Sequence, residues 1–244
     1  LLRLAKIFGF VLFPLIWITL KYFGEIADRY LPDPIAVLES ASLVDPSIAV
    51  HTFYTVTRFT TGFVFGTTLG VGITLIMYRS SLINALLLPI IQSSRAIPAV
   101  ALIPFFILWF GFSEVGRYFL VLTGTAFNVA VAGLEILSKI PERYSIMFAS
   151  FGLKPTQFCI RYGLPSICDG LLPTLRFSLS SSIGLIVASE MLGAQVGLGY
   201  LAQSARATFS LDLLFLVVIL LGIISSIADW LLIILWGKLL FWRR

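Results

Sequence analysis

Three polar side chains stand inside long apolar stretches of this chain, Arg95, Asn128 and Glu190, and they are the first places to look for chemistry. An ionisable group at membrane depth is costly unless protein or water surrounds it, so such residues mark a solute path or a buried partner. Arg95 either meets an anionic solute or caps broken backbone and reaches for the inner surface. Glu190 serves a gate, pairs with a cation across helices, or is held by structural hydrogen bonds near an outer helix end. Asn128, in Thr123-Gly124-Thr125-Ala126-Phe127-Asn128, binds either a neighbouring helix or a solute. Catalysis finds no support, because no nucleophile, base and orienter stand at readable spacing. Metal binding finds none either: the single histidine, His51, lacks a second to form a ligand set and reads as a surface or interface residue. Cys159 and Cys168 read as reduced thiols in a cytoplasmic loop. No G-x-x-x-x-G-K-[ST] phosphate loop occurs, so the chain does not bind ATP by that route.

The elements that position these residues must be membrane helices. With 59% hydrophobic and only 12% charged residues in 244, the composition lies far from soluble domains and reads as an all-α integral membrane protein. A net charge of +5 is spread over loops rather than gathered in a stripe, which argues against a nucleic-acid partner. About six spans are expected, at 4–24, 54–78, 82–112, 117–137, 173–193 and 212–237, all within one transmembrane domain covering 1–244. The first has no small-residue cleavage site and reads as a retained span. Gly62, Gly66 and Gly70 recur every four residues, a spacing that lets membrane helices approach closely; Ser178, Ser180, Ser181, Ser182 and Gly184 favour close packing too. Residues 80–113 would make a helix of about 50 Å, too long for a bilayer core, so it should break around Arg95, Pro98 and Pro104. Arg176 and Asp229 read as anchors near span ends. The acidic stretch 25–45 reads as an external loop. Arg3, Lys6, Arg79, Lys139, Arg143, Lys154, Arg161, Lys238, Arg243 and Arg244 then share the inner side with both termini.

Between the fourth and fifth spans the loop 138–172 is basic and amphipathic. Pro141 suits the start of a short helix, Tyr144, Met147, Phe148 and Phe151 share one face, and Gly152 can end it. Pro155 can start a second helix that Gly163 and Pro165 close. Such a pair of helices either lies on the lipid surface or docks into another protein.

Several motifs carry a resemblance to a known family. These are Arg95-Ala96-Ile97-Pro98-Ala99-Val100-Ala101-Leu102-Ile103-Pro104 leading into Leu108-Trp109-Phe110-Gly111, Gly152 with Leu164-Pro165, Val187-Ala188-Ser189-Glu190-Met191-Leu192-Gly193, and Gly197-Leu198-Gly199-Tyr200-Leu201. Leu31-Pro32-Asp33-Pro34 and Val37 add to them. The chain resembles the permease of a type I ABC importer, within the sulfonate, taurine, nitrate and bicarbonate group. The resemblance implies a cytoplasmic coupling helix, with Tyr144, Met147, Phe148, Phe151, Gly152, Leu164 and Pro165 facing a separate ATPase. Where that family's loop has Glu-Ala-Ala this chain has Ile146-Met147-Phe148, and Tyr162 replaces an isoleucine, so apolar contact must carry more of the docking. It also implies a second permease copy, two ATP-binding subunits, an external solute-binding protein and a bacterial cytoplasmic membrane. No cofactor is expected in this chain, ATP and Mg²⁺ belonging to the partner ATPase. The solute would be a small anion, such as an organic sulfonate, nitrate or bicarbonate. An ion-coupled secondary transporter is the alternative; it would show two similar halves with paired interrupted helices, and only one long interrupted segment is evident.

Overall fold

The computed structural model describes residues 2–24, 26–28 and 30–240, with the side chains of 2–11, 13, 95 and 96 outside the description. Among the described residues every regular element is helical. The first helix, α1, runs Leu2–Phe23 with Pro14 inside it. The stretch after it is not a plain loop, because α2 (Pro34–Glu39) and a 3₁₀ turn (Ser40–Leu43) fold within it. Asp33 caps α2, its Oδ1 accepting the Ile35 N–H at 2.7 Å while the Tyr22 hydroxyl donates to Oδ2 at 2.9 Å. Those two donors hold the Asp33 carboxyl below its ordinary range. Glu25 and Arg29 lie outside the described residues.

The long helix α3 (Ile48–Arg79) begins before the expected span and takes in His51. It is followed by α4 (Ser81–Ala96), a 3₁₀ turn (Ala99–Leu102) and α5 (Ile103–Phe110), so the overlong apolar segment does break, bending by 96° at the stretch that holds Pro98, while Pro104 opens the first turn of α5. Next come α6 (Glu114–Ser138), α7 (Glu142–Ser150), α8 (Pro155–Phe158), a π-turn (Cys159–Gly163), α9 (Leu164–Gly170), α10 (Leu172–Met191), α11 (Leu198–Ala207) and α12 (Leu211–Leu239). By length and apolarity α3, α6, α10 and α12 can each cross a membrane, and the bent pair of α4 and α5 adds a fifth where it counts as one broken span instead of a re-entrant loop.

Gly62, Gly66 and Gly70 form the seam between α3 and α6. A Cβ on Gly66 would stand 2.7 Å from the Leu122 carbonyl oxygen, and one on Gly70 would stand 2.7 Å from that of Ala126. The helix backbones therefore touch, as the four-residue spacing predicts. Phe59, Val121, Val129, Leu175 and Ile186 are buried in the core beside this seam. The serine run of α10 divides, because successive helical residues turn by about 100°. Ser178 and Ser182 are buried, with Ser182 Oγ 3.1 Å from Thr125 Oγ1 of α6. Ser180 and Gly184 are exposed, and nothing lies within 4 Å of a Cβ on Gly184.

Candidate functional site

At the end of the bundle away from α7, four charged side chains from three helices meet. Arg58 of α3, 2% exposed, forms a fork onto Glu114 of α6, with Nε and Nη2 donating to its two oxygens at 2.6 Å each. Its Nη1 donates to Glu190 Oε1 of α10 at 2.6 Å and to the Val196 carbonyl at 2.6 Å. Arg117 of α6 completes the set, donating to Glu114 Oε1 and to the Gly193 carbonyl at 2.8 Å each. Two cations and two carboxylates thus balance, and planar guanidinium forks suit this bidentate geometry.

Glu190 is further bound by Thr55, whose hydroxyl lies 3.0 Å from both carboxylate oxygens, and by the Gly199 N–H at 2.8 Å. That amide belongs to the first turn of α11, where unpaired N–H groups favour an anion. Gly197 has φ 138, and a Cβ there would lie 2.4 Å from the Glu190 carboxyl carbon, so the approach demands glycine. Of the two readings of His51, surface or interface, the surface one is corrected: it is buried, stacks on Tyr200 and accepts the Gly197 N–H at Nδ1 at 3.0 Å. Its partner is backbone, which counting possible ligand residues does not reveal. The whole arrangement clamps α3, α6, α10 and α11 together. Of the readings open for Glu190, the geometry displays the pairing with a cation across helices, and the cation is Arg58.

Asn128 sits elsewhere, on a cavity of about 430 Å³ between α6, α10 and the broken segment after α4. It also lines a second cavity of about 280 Å³ with Glu135 and Thr174. The Arg95 side chain lies outside the described residues, although Ser94 and Ile97 on either side of it line the larger cavity. The structure therefore does not bring Asn128 and Glu190 together. Arg176 and Asp229, read as anchors, pair across α10 and α12, with Nε and Nη2 donating to the two carboxylate oxygens at 2.6 and 2.8 Å.

The basic loop folds on an aromatic cluster. Tyr144 stacks on Tyr162 with ring centroids 5.3 Å apart, and Phe148 meets Phe158 edge-on at 5.1 Å. The predicted stripe therefore splits: Tyr144 and Phe148 turn inward, whereas Met147 and Phe151, joined by Ile146 and Ile160, are exposed. Gly152 ends α7 at φ 74, with the Leu153 N–H returning to the Phe148 carbonyl at 3.1 Å. Gly163 and Pro165 do not close the second helix, which runs on to Gly170 with Leu164 and Pro165 in its course. The π-turn before Pro165 re-spaces the backbone where the proline can neither donate a hydrogen bond nor tolerate an ordinary preceding turn. Cys159 and Cys168 are free thiols, and burial pushes both above their ordinary range, so they stay protonated at neutral pH.

The all-helical fold with its long apolar helices and the family it matches define a membrane transport subunit. The chain belongs to the family described as binding-protein-dependent transport system inner membrane component, which it matches over residues 62–238. It is 30% identical to a probable ABC transporter permease protein of Haemophilus influenzae over 237 residues, 95% of this chain and 96% of that one. It is 31% identical to the putative aliphatic sulfonates transport permease protein SsuC of Escherichia coli over 231 residues, 94% and 88% of the two chains. Against the formylaminopyrimidine transport permease protein ThiX of Halalkalibacterium halodurans the identity is 26%, covering 96% and 94%. The fold is also similar to that of a chain in an inward-facing structure of the MetNI methionine ABC transporter, with a TM-score of 0.61 at 21% identity, covering 78% of this chain and 97% of that one.

Proposed function

We propose that this ABC importer permease crosses the bacterial cytoplasmic membrane six times, pairs with a second copy around the solute path, and takes its energy from two ATPase subunits gripping the loop 138–172. ATP and Mg²⁺ act in those subunits, and a solute-binding protein delivers cargo from outside. The observation that carries this reading is the bare apolar patch on the loop: Phe151 is 76% exposed, Ile146 62% and Ile160 56%, on a segment otherwise basic and polar. Burying such side chains in a partner is worth about 1.5–3 kcal/mol each. Phe151→Ala is therefore expected to weaken ATPase association roughly 10- to 100-fold, with Arg143→Ala costing no more than about 1 kcal/mol. Phe148→Ala acts differently, by loosening the aromatic cluster that sets the loop's shape. The measurement is ATPase binding to the purified permease in lipid nanodiscs. A well-inserted Phe151→Ala protein that binds the ATPase with full affinity would mean that the patch lies on lipid instead.

Support for a second copy comes from α10, whose open face carries Ser180, Gly184 and the Arg176–Asp229 pair. Small residues and a charge pair suit a protein or water boundary better than acyl chains. Glu190, the acid an ion-coupled carrier would want free, is already bound by Arg58, Thr55 and Gly199. For orientation, single cysteines at the exposed Ser42 and Ser150 should label from opposite faces of intact cells, Ser42 from outside and Ser150 only after permeabilisation. Labelling of both from one face would break the topology. The relatives named for aliphatic sulfonates support a small organic anion as solute.

A further inference from the structure

Helix α11 has no side-chain cap of its own. Its N-cap is Gly197, and the three amides that open the helix are met by side chains of other helices instead. The Gly197 N–H donates to His51 Nδ1 at 3.0 Å, the Leu198 N–H to Thr55 Oγ1 at 2.8 Å and the Gly199 N–H to Glu190 Oε2 at 2.8 Å. His51, Thr55 and Arg58 follow one another at four- and three-residue steps, on one face of α3. Two of them hold a single peptide plane: between Val196 and Gly197, the N–H goes to His51 and the carbonyl oxygen accepts from Arg58 Nη1 at 2.6 Å. Of the four side chains that fasten this turn, only the histidine is of a type that titrates between pH 5 and 8.

We propose that His51 is a proton-sensitive latch: protonation at Nδ1 releases the Val196–Gly197 peptide, and with it the first turn of α11, from α3 and α10. Accepting an N–H at Nδ1 requires a bare lone pair there, so the neutral ring carries its proton on Nε2, a buried atom with no hydrogen-bond partner among the described residues. A second proton must go to Nδ1, where it turns an acceptor into a donor aimed at another donor. Nδ1 could then donate to the Gly197 carbonyl oxygen, 3.2 Å away, but that oxygen already accepts the Leu201 N–H at 3.1 Å. The surroundings offer the new charge no counter-ion. Glu190 of α10 and Glu114 of α6 are matched by Arg58 and Arg117. Tyr200 of α11 stacks on the ring, the Pro46 carbonyl adjoins it from the segment before α3, the neighbouring Asp45 is exposed, and Asp212 lies in the first turn of α12. A fifth buried charge beside a balanced set of four is costly. The closed latch therefore excludes the proton, whereas a released histidine takes one up at about pH 6.5. The latch holds above that pH and weakens as pH falls through it. With the orientation proposed above, the signal is acid outside the cell; the latch itself stands whether or not that reading does.

Hydrogen exchange of the full chain in nanodiscs tests this, each amide's rate being taken relative to an unfolded peptide at the same pH. Between pH 7.5 and 5.5 the protection of amides 197–199 should fall roughly tenfold, the gain of a released histidine one unit below its ordinary pKa. Protection along the α3–α6 seam around Gly66 should stay level. His51→Asn places a non-titrating amide oxygen where Nδ1 stands and should keep 197–199 protected at both pH values. Isotope-labelled histidine reports on the parent protein directly, because His51 is the only histidine in the chain, and its NMR signal at pH 7.5 should be that of the Nε2–H tautomer. Unchanged protection of 197–199 at pH 5.5, an equal loss along the seam, an Nδ1–H tautomer at pH 7.5, or a His51→Asn protein that loses protection in acid as the parent does would each overturn the latch. Should His51→Asn fail to fold, the tautomer and the contrast with the seam in the parent protein still decide.

Discussion

Arg58→Ala is expected to leave the protein far less stable in detergent, by about 3–5 kcal/mol, the usual cost of breaking one side of a buried ion pair. The size follows from what the substitution strands. Glu190 is 1% exposed and would be left with only Thr55 and the Gly199 amide as partners, while the Val196 carbonyl would lose its donor. Arg58→Lys should recover only part of the loss, since an ammonium cannot reproduce the fork onto Glu114. The informative comparison is Lys21→Ala, which removes an ion pair to the exposed Asp28 and should cost about 1 kcal/mol or less. Thermal unfolding followed by the monodisperse fraction on size exclusion reads both. Equal midpoints for Arg58→Ala and Lys21→Ala would mean the four-charge network contributes no more than a surface pair.

Gly66→Val should be comparably damaging, for a steric reason. Its first side-chain carbon already falls 2.7 Å from the Leu122 carbonyl oxygen and 2.7 Å from Thr125 Cβ. A backbone oxygen cannot rotate away as a side chain can, so α3 and α6 must separate along their seam. Overpacking of this kind costs about 1–3 kcal/mol and sometimes more. The matched control is Gly72→Ala on the same helix, where nothing lies within 4 Å of the added carbon. There the better helix propensity of alanine, about 1 kcal/mol, is left unopposed and the protein should be neutral or slightly stabilised. If Gly66→Val unfolds at the same temperature as Gly72→Ala, the seam is looser than its geometry.

The helical character of the long apolar runs was legible because lipid imposes a rule that acts on composition alone, and the break after α4 was legible because an uninterrupted helix would have been too long. Gly62, Gly66 and Gly70 announced the α3–α6 seam by their spacing, without naming the partner helix. The charge network was harder, since Arg58 stands 132 residues from Glu190 and 56 from Glu114. A signal did exist. Arg58 and Arg117 both lie near span ends on the side where the expected orientation disfavours cations, and Glu114 and Glu190 fall at the same depth, so mutual pairing was the economical solution. The partner of His51 is a backbone amide 146 residues away, which no pattern of side chains encodes. On α7 the helical period put Tyr144, Met147, Phe148 and Phe151 in one stripe, yet a period cannot tell which edge of a stripe will be claimed by aromatics of the next helix, here Phe158 and Tyr162.

Because the π-turn lets the helix pass through Gly163 and Pro165 without ending, the second half of the basic loop is a stiff strut instead of a tether. From Pro155 to Gly170 it is roughly 24 Å long at 1.5 Å per residue, and only Leu171, itself in helical conformation, separates it from α10. Force applied near Pro155 is therefore delivered as torque. A sideways step of about 1 Å at that end corresponds to a swing of roughly 2° over such a length, and the shaft it turns is the one on which Ser178, Ser181 and Glu190 are mounted.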